Sequence, residues 1–312
     1  MNGIAAPIVA QEPASAPDFL STRRTVSVVM VVYMTGAALD ESIERVLRDP
    51  LIDEFVIVDN GSSGADAAGL RALADRDPRV VLLSGHGNVG FARGANLGAR
   101  AARGDLLVFL NPDAFLQPRC IAELVREIEG RPVPTIVGGR VLNSDLTEQR
   151  GARRGDITLM AAILSVSQLA QRVPAWRRHE VHWEGEPVPD QAMAVPTISG
   201  ACFCLRREDF DCLQGFDEKY FLHVEDVDLC WRVRQMGGRV LFHPKAEVIH
   251  LGHTSKTSPL RVDFHKGVGL ARYFRKRAQG LAGWLAACLL SPVVVGAAVV
   301  RPLMRRFRGR AG

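Results

Sequence analysis

Residues 79–96, "RVVLLSGHGNVGFARGAN", decide how the rest of the chain is read. An apolar run leads into Gly85-His86-Gly87-Asn88-Val89-Gly90, a G-x-G-x-x-G, and an alanine-rich segment follows. Strand, glycine turn and helix are the setting in which this pattern cradles a dinucleotide pyrophosphate. A dinucleotide fold, however, carries the fingerprint after its first strand. Here the first strand, "TVSVVMVVY" (25–33), runs into "MTGAALD", and the glycines arrive only after the third. The stretch marks a turn of an α/β fold without itself naming an NAD-dependent oxidoreductase.

Working outward, the flanks repeat the same grammar. "EFVIV" (54–58) ends at "DNGSSG", and "DLLVFL" (105–110) ends at Asn111-Pro112-Asp113. Continuous apolar runs of this length are strands covered on both faces. Between them lie helical patterns: Leu39, Ile43, Val46 and Leu47 on one face, a segment near 65–76, and Ile121, Leu124, Val125 and Ile128 before Gly130. Alternating strands and helices predict an α/β fold with a mostly parallel central sheet, right-handed crossovers and flanking helices. Ligands of such sheets sit outside the carboxyl ends of the strands. Asp59 and Asp113 both fall there. Residues 140–195 are less regular and hold Arg150, Arg153, Arg154, Arg172, Arg177 and Arg178 with Trp176 and Trp183. They read either as an acceptor-side insertion or as a solvated loop region.

Bulk properties bound the possibilities. A chain of 312 residues, 47% apolar and 23% charged, has material for one large α/β domain or two modest ones. The net charge of +5 is unevenly spread, because residues 261–312 hold eleven Lys/Arg against the single acid Asp263. That tail carries +10 and the remainder −5, which points to an anionic partner surface. Nucleic acid is a poor candidate: aromatic residues make up 6%, and the cations adjoin an apolar segment rather than a stacking surface. The apolar segment, Leu281–Val300, is long enough to span a bilayer, but Pro292 interrupts it and basic residues flank both ends. Peripheral attachment, a true span and a packed helix are all open. The six cysteines form no C-x-x-C pair and read as reduced thiols of a cytoplasmic protein. Residues 1–24 lack a basic start and a sustained apolar core, and read as a disordered leader.

Four motifs in order, "VVYMTGAALDESIERVL", "IVDNGSSG", "NVGFARGAN" with "DLLVFLNPDA", and the block from "ISGACFCLRRED" to "VIHLGHTS", resemble the family 2 glycosyltransferases. These are inverting, nucleotide-sugar-dependent enzymes of the GT-A fold, and the likeness is to bacterial rhamnosyltransferase-like members. It runs from Val26 to about Ser255. Met34 replaces an Asn usual after Tyr33, and Asn111-Pro112-Asp113 replaces the commoner Asp-x-Asp, leaving Asp113 as the one carboxylate of that motif.

The resemblance implies a site. Tyr33, Asp59, Asn60, Asn88, Gly90, Arg93, Asn96 and Asn111 frame the nucleotide, with the Asp59 carboxylate accepting the pyrimidine N3–H. Asp113 and His250 hold Mg²⁺ or Mn²⁺, a hard cation suited to oxygen ligands, with His253 a possible substitute for His250. Asp226 is the catalytic base, Glu225 orients the acceptor and Asp228 supports them; His223 and His243 are structural or acceptor-facing. The implied donor is dTDP-L-rhamnose. The implied acceptor is a polyprenyl-diphosphate-linked sugar or a growing polysaccharide at the cytoplasmic face of the bacterial inner membrane. The expected layout is a catalytic domain over 25–258, its nucleotide half 25–138 and acceptor half 139–258, then a membrane-associating segment, 259–312. Two alternatives remain: an NAD-dependent Rossmann oxidoreductase, and a catalytically inactive membrane-bound module that binds a nucleotide sugar.

Overall fold

The computed structural model describes residues 23–62, 64–162, 180–252, 254–255 and 257–308, with side chains to residue 300. Residues 1–22 of the expected leader lie outside the described residues, as do Arg172, Trp176, Arg177, Arg178 and His253.

The N-terminal half alternates as its apolar runs require: β1 (Val26–Val32), α1 (Ala38–Arg48), β2 (Glu54–Asp59), α2 (Gly64–Arg76), β3 (Val80–Leu83), α3 (Phe91–Ala101), β4 (Leu106–Leu110). All seven residues of β1 and all five of β4 are buried, as expected of strands covered on both faces. Then come β5 (Ala114–Leu116), α4 (Cys120–Ile128), β6 (Thr135–Leu142), β7 (Arg153–Arg154), β8 (Met193–Ala194), β9 (Thr197–Ile198) and β10 (Cys202–Arg206). The short α5 (Arg207–Cys212), α6 (Glu225–Gln235), the long β11 (Arg239–His250), α7 (Pro259–Arg277) and α8 (Gly280–Arg308) complete the chain.

The main sheet is mixed and runs β3-β2-β1-β4-β10-β6-β11-β5, with β8 beside β11. The four strands β3-β2-β1-β4 are parallel, and so is the β6–β11 pair; β10 is antiparallel to both β4 and β6. Strand order reverses between β1 and β4, a switch point next to the carboxyl ends of β1, β2 and β4. One apolar core runs from Val26 through both halves into Tyr273 and Phe274 of α7.

Helices α7 and α8 form a hairpin on this body. Helix α8 continues through Pro292, correcting the expected interruption. Proline removes one backbone donor, and one turn back Ser291 Oγ donates to the Ala287 carbonyl at 2.7 Å. Gly280–Val300 is long and apolar enough to cross a membrane, and Leu281, Leu289 and Val293 are largely exposed. The cations of α7 are a second correction. Arg272 and Lys276 pair with Asp217 at 2.7 and 3.1 Å, Lys276 also reaches Asp228 at 2.7 Å, and Arg277 pairs with Asp156. These side chains fasten α7 to the body through Asp156 and Asp217 in loops and Asp228 on α6.

Candidate active site

The donor pole begins at the end of β2. Register places Asp59 beside Val32, so Tyr33 and Asp59 emerge together from adjacent parallel strands. Asp59 Oδ1 accepts from the Gly61 and Ser62 amides at 3.0 and 2.6 Å, which folds the chain into a tight turn. Gly61, at φ 129°, lies under the Tyr33 ring, where an added Cβ would sit 3.5 Å from Cε2. A carboxylate and an aromatic ring thus share one turn.

Two residues expected at the nucleotide are scaffold instead. Asn60 is 2% exposed; its amide donates to the Gly90 carbonyl at 3.0 Å and its oxygen meets His86 Nε2 at 3.1 Å. Asn96 donates to the Phe216 carbonyl at 2.9 Å and accepts the Phe216 amide at 2.8 Å, tying α3 to the acceptor half. Buried amides need partners of this kind. Asn88 is exposed and accepts the Gly90 amide at 3.0 Å; Arg93, half exposed on the first turn of α3, lies 3.9 Å from Glu218.

The opening glycines also receive a different explanation. Gly85, Gly87 and Gly90 all have positive φ, of 89°, 67° and 85°, a conformation that favours glycine. The α3 N-terminus does not offer an open phosphate cradle. The Phe91 amide donates to the Phe221 carbonyl at 2.8 Å, and a Cβ at Gly90 would lie 2.6 Å from that oxygen. The Phe221 carbonyl thus takes the first α3 amide, which a dinucleotide pyrophosphate would use.

The second pole forms where β4 turns into β5. Strand β11 runs antiparallel to β5 with His250 opposite Ala114, which brings the histidine to Asp113 across 137 residues of sequence. His250 Nε2 lies 3.2 Å from Asp113 Oδ1, and Thr254 donates to Oδ2 at 2.9 Å. Gln149 Nε2 donates to the His250 carbonyl and to Asn143, so its oxygen is left to accept from His250 Nδ1 at 2.7 Å. That pattern assigns the proton to Nδ1 and aims the Nε2 lone pair at the carboxylate. Asn111 Nδ2, 3.3 Å from Nε2, is the remaining neighbour. A lone pair facing a carboxylate oxygen fits a divalent cation with mixed nitrogen and oxygen ligands. Among the described residues no third His, Cys, Asp or Glu joins the pair.

The third group is the Glu225-Asp226 pair at the start of α6. The two preceding residues, His223 and Val224, are both left-handed at φ 68° and 75°, strain of a kind that collects at functional sites. Arg154 donates to Asp226 Oδ2 at 2.5 Å, the Gly200 amide donates to the same oxygen at 3.1 Å, and the Val227 amide to Oδ1 at 2.8 Å. Burial would raise Asp226, but Arg154 prevails and keeps it ionised below the usual carboxylate range. Glu225, 7% exposed, is shifted the other way by burial and then by Asp226, and its Oε2 has no hydrogen-bond partner. Asp228 is not at the site: it is fully buried and pairs with Arg232 and Lys276. His243 is buried near Glu123 at 3.7 Å, a structural position.

Two consecutive residues join these poles. The Gly200 amide holds Asp226, and the next carbonyl, Ala201, accepts the Asn111 amide at 2.9 Å. A Cβ at Gly200 would lie 3.2 Å from that of Asp226, so a small residue is needed for the approach. Sequence reasoning missed Gln149 and Thr254 altogether and gave Arg154 no role. Thr254 sat inside a recognised motif; nothing local marks Gln149.

The sequence and the fold have counterparts in known proteins. Residues 27–213 match the profile of Glycosyl transferase family 2. The chain is 28% identical over 239 residues to the N-acetylglucosaminyl-diphospho-decaprenol L-rhamnosyltransferase of Mycobacterium tuberculosis, an alignment that covers 72% of this chain and 75% of the relative. Its fold is similar to that of the mannosyltransferase PcManGT of Pyrobaculum calidifontis in complex with GDP-Man and Mn²⁺ (TM-score 0.57, 17% identity, 90% of this chain and 74% of that one). It is also similar to GalNAc-T7 with UDP, GalNAc and Mn²⁺ (TM-score 0.57, 18% identity, 82% of this chain and 51% of that one). With its profile matched from β1 into α5 and its sheet shared with enzymes of the GT-A fold, the chain belongs to glycosyl transferase family 2 and is a glycosyltransferase.

Proposed function

We propose that this protein is an inverting transferase that moves L-rhamnose from dTDP-L-rhamnose to a sugar carried on a polyprenyl diphosphate, at the cytoplasmic face of the bacterial inner membrane. The observation that carries the reading is the Gly200–Ala201 bridge, which ties an ionised carboxylate, Asp226, to the strand end bearing Asn111 and Asp113. The choice of sugar and acceptor is supported by the relative named an N-acetylglucosaminyl-diphospho-decaprenol L-rhamnosyltransferase. The exposed apolar face of α8 supports the membrane setting.

Asp59 accepts the ring N3–H of the base beside Tyr33. Asp113 and His250 would hold a divalent ion, Mg²⁺ or Mn²⁺, and such an ion would supply Lewis-acid charge for a diphosphate leaving group. Asp226 removes the proton of the acceptor hydroxyl while that oxygen bonds to the anomeric carbon. The sugar–phosphate bond breaks on the opposite face, and the dTDP oxygen leaves with its electron pair. Configuration inverts, no glycosyl-enzyme forms, and the proton ends on Asp226. Glu225 orients the acceptor beside it. Placement of both reactants contributes as much as the base does.

A thermal-shift panel of dTDP, UDP, GDP and NAD⁺, each with and without Mn²⁺, tests the donor. A ligand at about 100 times its Kd adds about 2.7 kcal/mol, a rise of roughly 2–4 °C for a chain of this size. The expected result is stabilisation by dTDP that depends on Mn²⁺. Stabilisation by NAD⁺ alone, or by GDP in preference to dTDP, overturns the reading.

A further inference from the structure

Helix α8 carries an apolar face that no described residue covers. Among its described side chains Ala287 alone is buried. Leu281 and Leu289 are 74% and 79% exposed, more than any other large apolar side chain described, and Leu285 and Val293 are exposed between and beyond them. A spacing of four residues puts these side chains on one face. The opposite face, two residues out of step, is where α7 packs. There Ala287 is buried, Arg275 Nη1 donates to Ser291 Oγ at 2.6 Å, and a Cβ at Gly267 would lie 2.9 Å from Val295 Cα and 3.0 Å from Ala298 Cβ.

That pairing decides between a span and a surface position. With Arg275 opposite Ser291 and Gly267 opposite Val295, the two helices run antiparallel over much of their length. Helix α7 carries seven charged residues, from Arg261 to Arg277. If Gly280–Val300 crossed a bilayer, those charges would enter the hydrocarbon beside it, together with the acids that Arg272, Lys276 and Arg277 grip. The other face of α7 holds the catalytic body. His265 stacks on Phe221 at 4.6 Å between ring centroids, a Cβ at Gly269 would lie 3.1 Å from the His223 carbonyl, and Lys276 pairs with Asp228 on α6. Helix α7 therefore stands between α8 and the loop that leads into Glu225-Asp226.

Charge says what covers the apolar face. Arg301, Arg305, Arg306 and Arg308 end α8, and Asp263 is the only acid after residue 260. At the corner where α7 meets α8, Arg275 is bonded to a hydroxyl rather than an acid. A second copy of the chain laid on this face would set cations against cations. Parallel helices oppose their two Arg301–Arg308 ends, and antiparallel helices oppose each such end to an Arg275 corner. An anionic lipid surface meets both ends with opposite charge.

We propose that α8 lies in the plane of an anionic phospholipid bilayer, its Leu281–Leu285–Leu289–Val293 face sunk about 5–10 Å into the boundary between headgroups and acyl chains, and does not cross it. Helix α7 is then the spacer that sets the height of Asp226 above the lipid. The inference deepens the proposed function and rests on its membrane setting.

The full chain is tested by flotation with vesicles of phosphatidylcholine alone and of equal parts phosphatidylcholine and phosphatidylglycerol. Binding to the mixed vesicles is expected, and weaker binding to phosphatidylcholine. The double variant Leu289→Glu/Val293→Glu, at two exposed positions, is expected to weaken it about tenfold or more with Tm unchanged. Spin labels placed singly at positions 281, 285, 289 and 293, after Cys212→Ser and Cys288→Ser, are expected to report one shallow depth. A depth that rises to the bilayer centre and falls again along α8 means a span; it overturns the flat helix and leaves the membrane setting intact. Equal binding to both vesicles overturns the anionic partner. No binding to either overturns the membrane setting as well, while the dTDP thermal shift still judges the donor site by itself. A wild-type dimer in sedimentation that the double variant turns into a monomer gives the face to a second copy and removes the lipid assignment.

Discussion

Asp113 and Asp226 are both carboxylates largely withdrawn from solvent, and each faces a different kind of partner. Asp113 faces His250, an imidazole whose proton is directed away to Gln149. Asp226 faces Arg154, a guanidinium that keeps its charge at any accessible pH. The first pair is short of one positive charge and suits a cation that comes and goes with the donor. The second is complete, and it fixes Asp226 as an anion while the neighbouring Glu225 is driven toward its neutral form. Two acids of similar burial are thus placed in different electrostatic surroundings by one neighbour each.

The largest expected effect separates the two poles outright. Asp226→Asn removes the base and is expected to lower kcat by about 10²–10⁴-fold, while the Mn²⁺-dependent rise of Tm with dTDP persists; steady-state transfer and thermal shift together read it. Loss of the dTDP response in this variant would mean that the poles are one structural unit. Next in size, Gln149→Leu leaves both proposed metal ligands in place but frees the His250 ring to rotate. A loss of about 10–100-fold in apparent Mn²⁺ affinity is expected, measured as activity against metal concentration with dTDP binding at saturating metal as the control.

The smaller effects concern ionisation. In the wild type, Asp226 is held below the usual carboxylate range, so the acid limb of the pH–rate profile lies low. Arg154→Gln removes the charge that holds it there, and the limb moves to higher pH. A limb that stays in place would assign the base elsewhere. The smallest effect is on stability. Glu225 has a raised folded-state value, so folding takes up a proton and stability falls as pH climbs from the unfolded carboxyl range through the folded one. Glu225→Gln removes that cost. Its gain in Tm is expected to be larger at pH 8 than at pH 5, and equal gains would show that Glu225 is ionised and paired in the fold.

Much of this was readable in advance, unevenly along the chain. The donor half was legible because its strands are uninterrupted apolar runs and its helices keep one apolar face, both local signals. Asp59, Asp113, Glu225-Asp226 and His250 were legible through motifs. The roles of Asn60 and Asn96 were not, because an amide that contacts a nucleotide and one that braces a buried loop look alike in sequence. The hairpin charges misled for a related reason: Arg272, Lys276 and Arg277 read as a free basic surface until Asp156, Asp217 and Asp228 were seen against them.

By itself, then, the sequence determined the alternation of elements, the parallel order of the donor half and the identity of the acids at the strand ends, because hydrophobic period and turn chemistry act over a few residues. Tertiary structure alone decided that His250 faces Asp113, that Phe221 caps the glycine turn, and that Arg154 holds Asp226. Those contacts span 137, 130 and 72 positions of sequence, and what sets them is strand register and the need of buried charges for a partner.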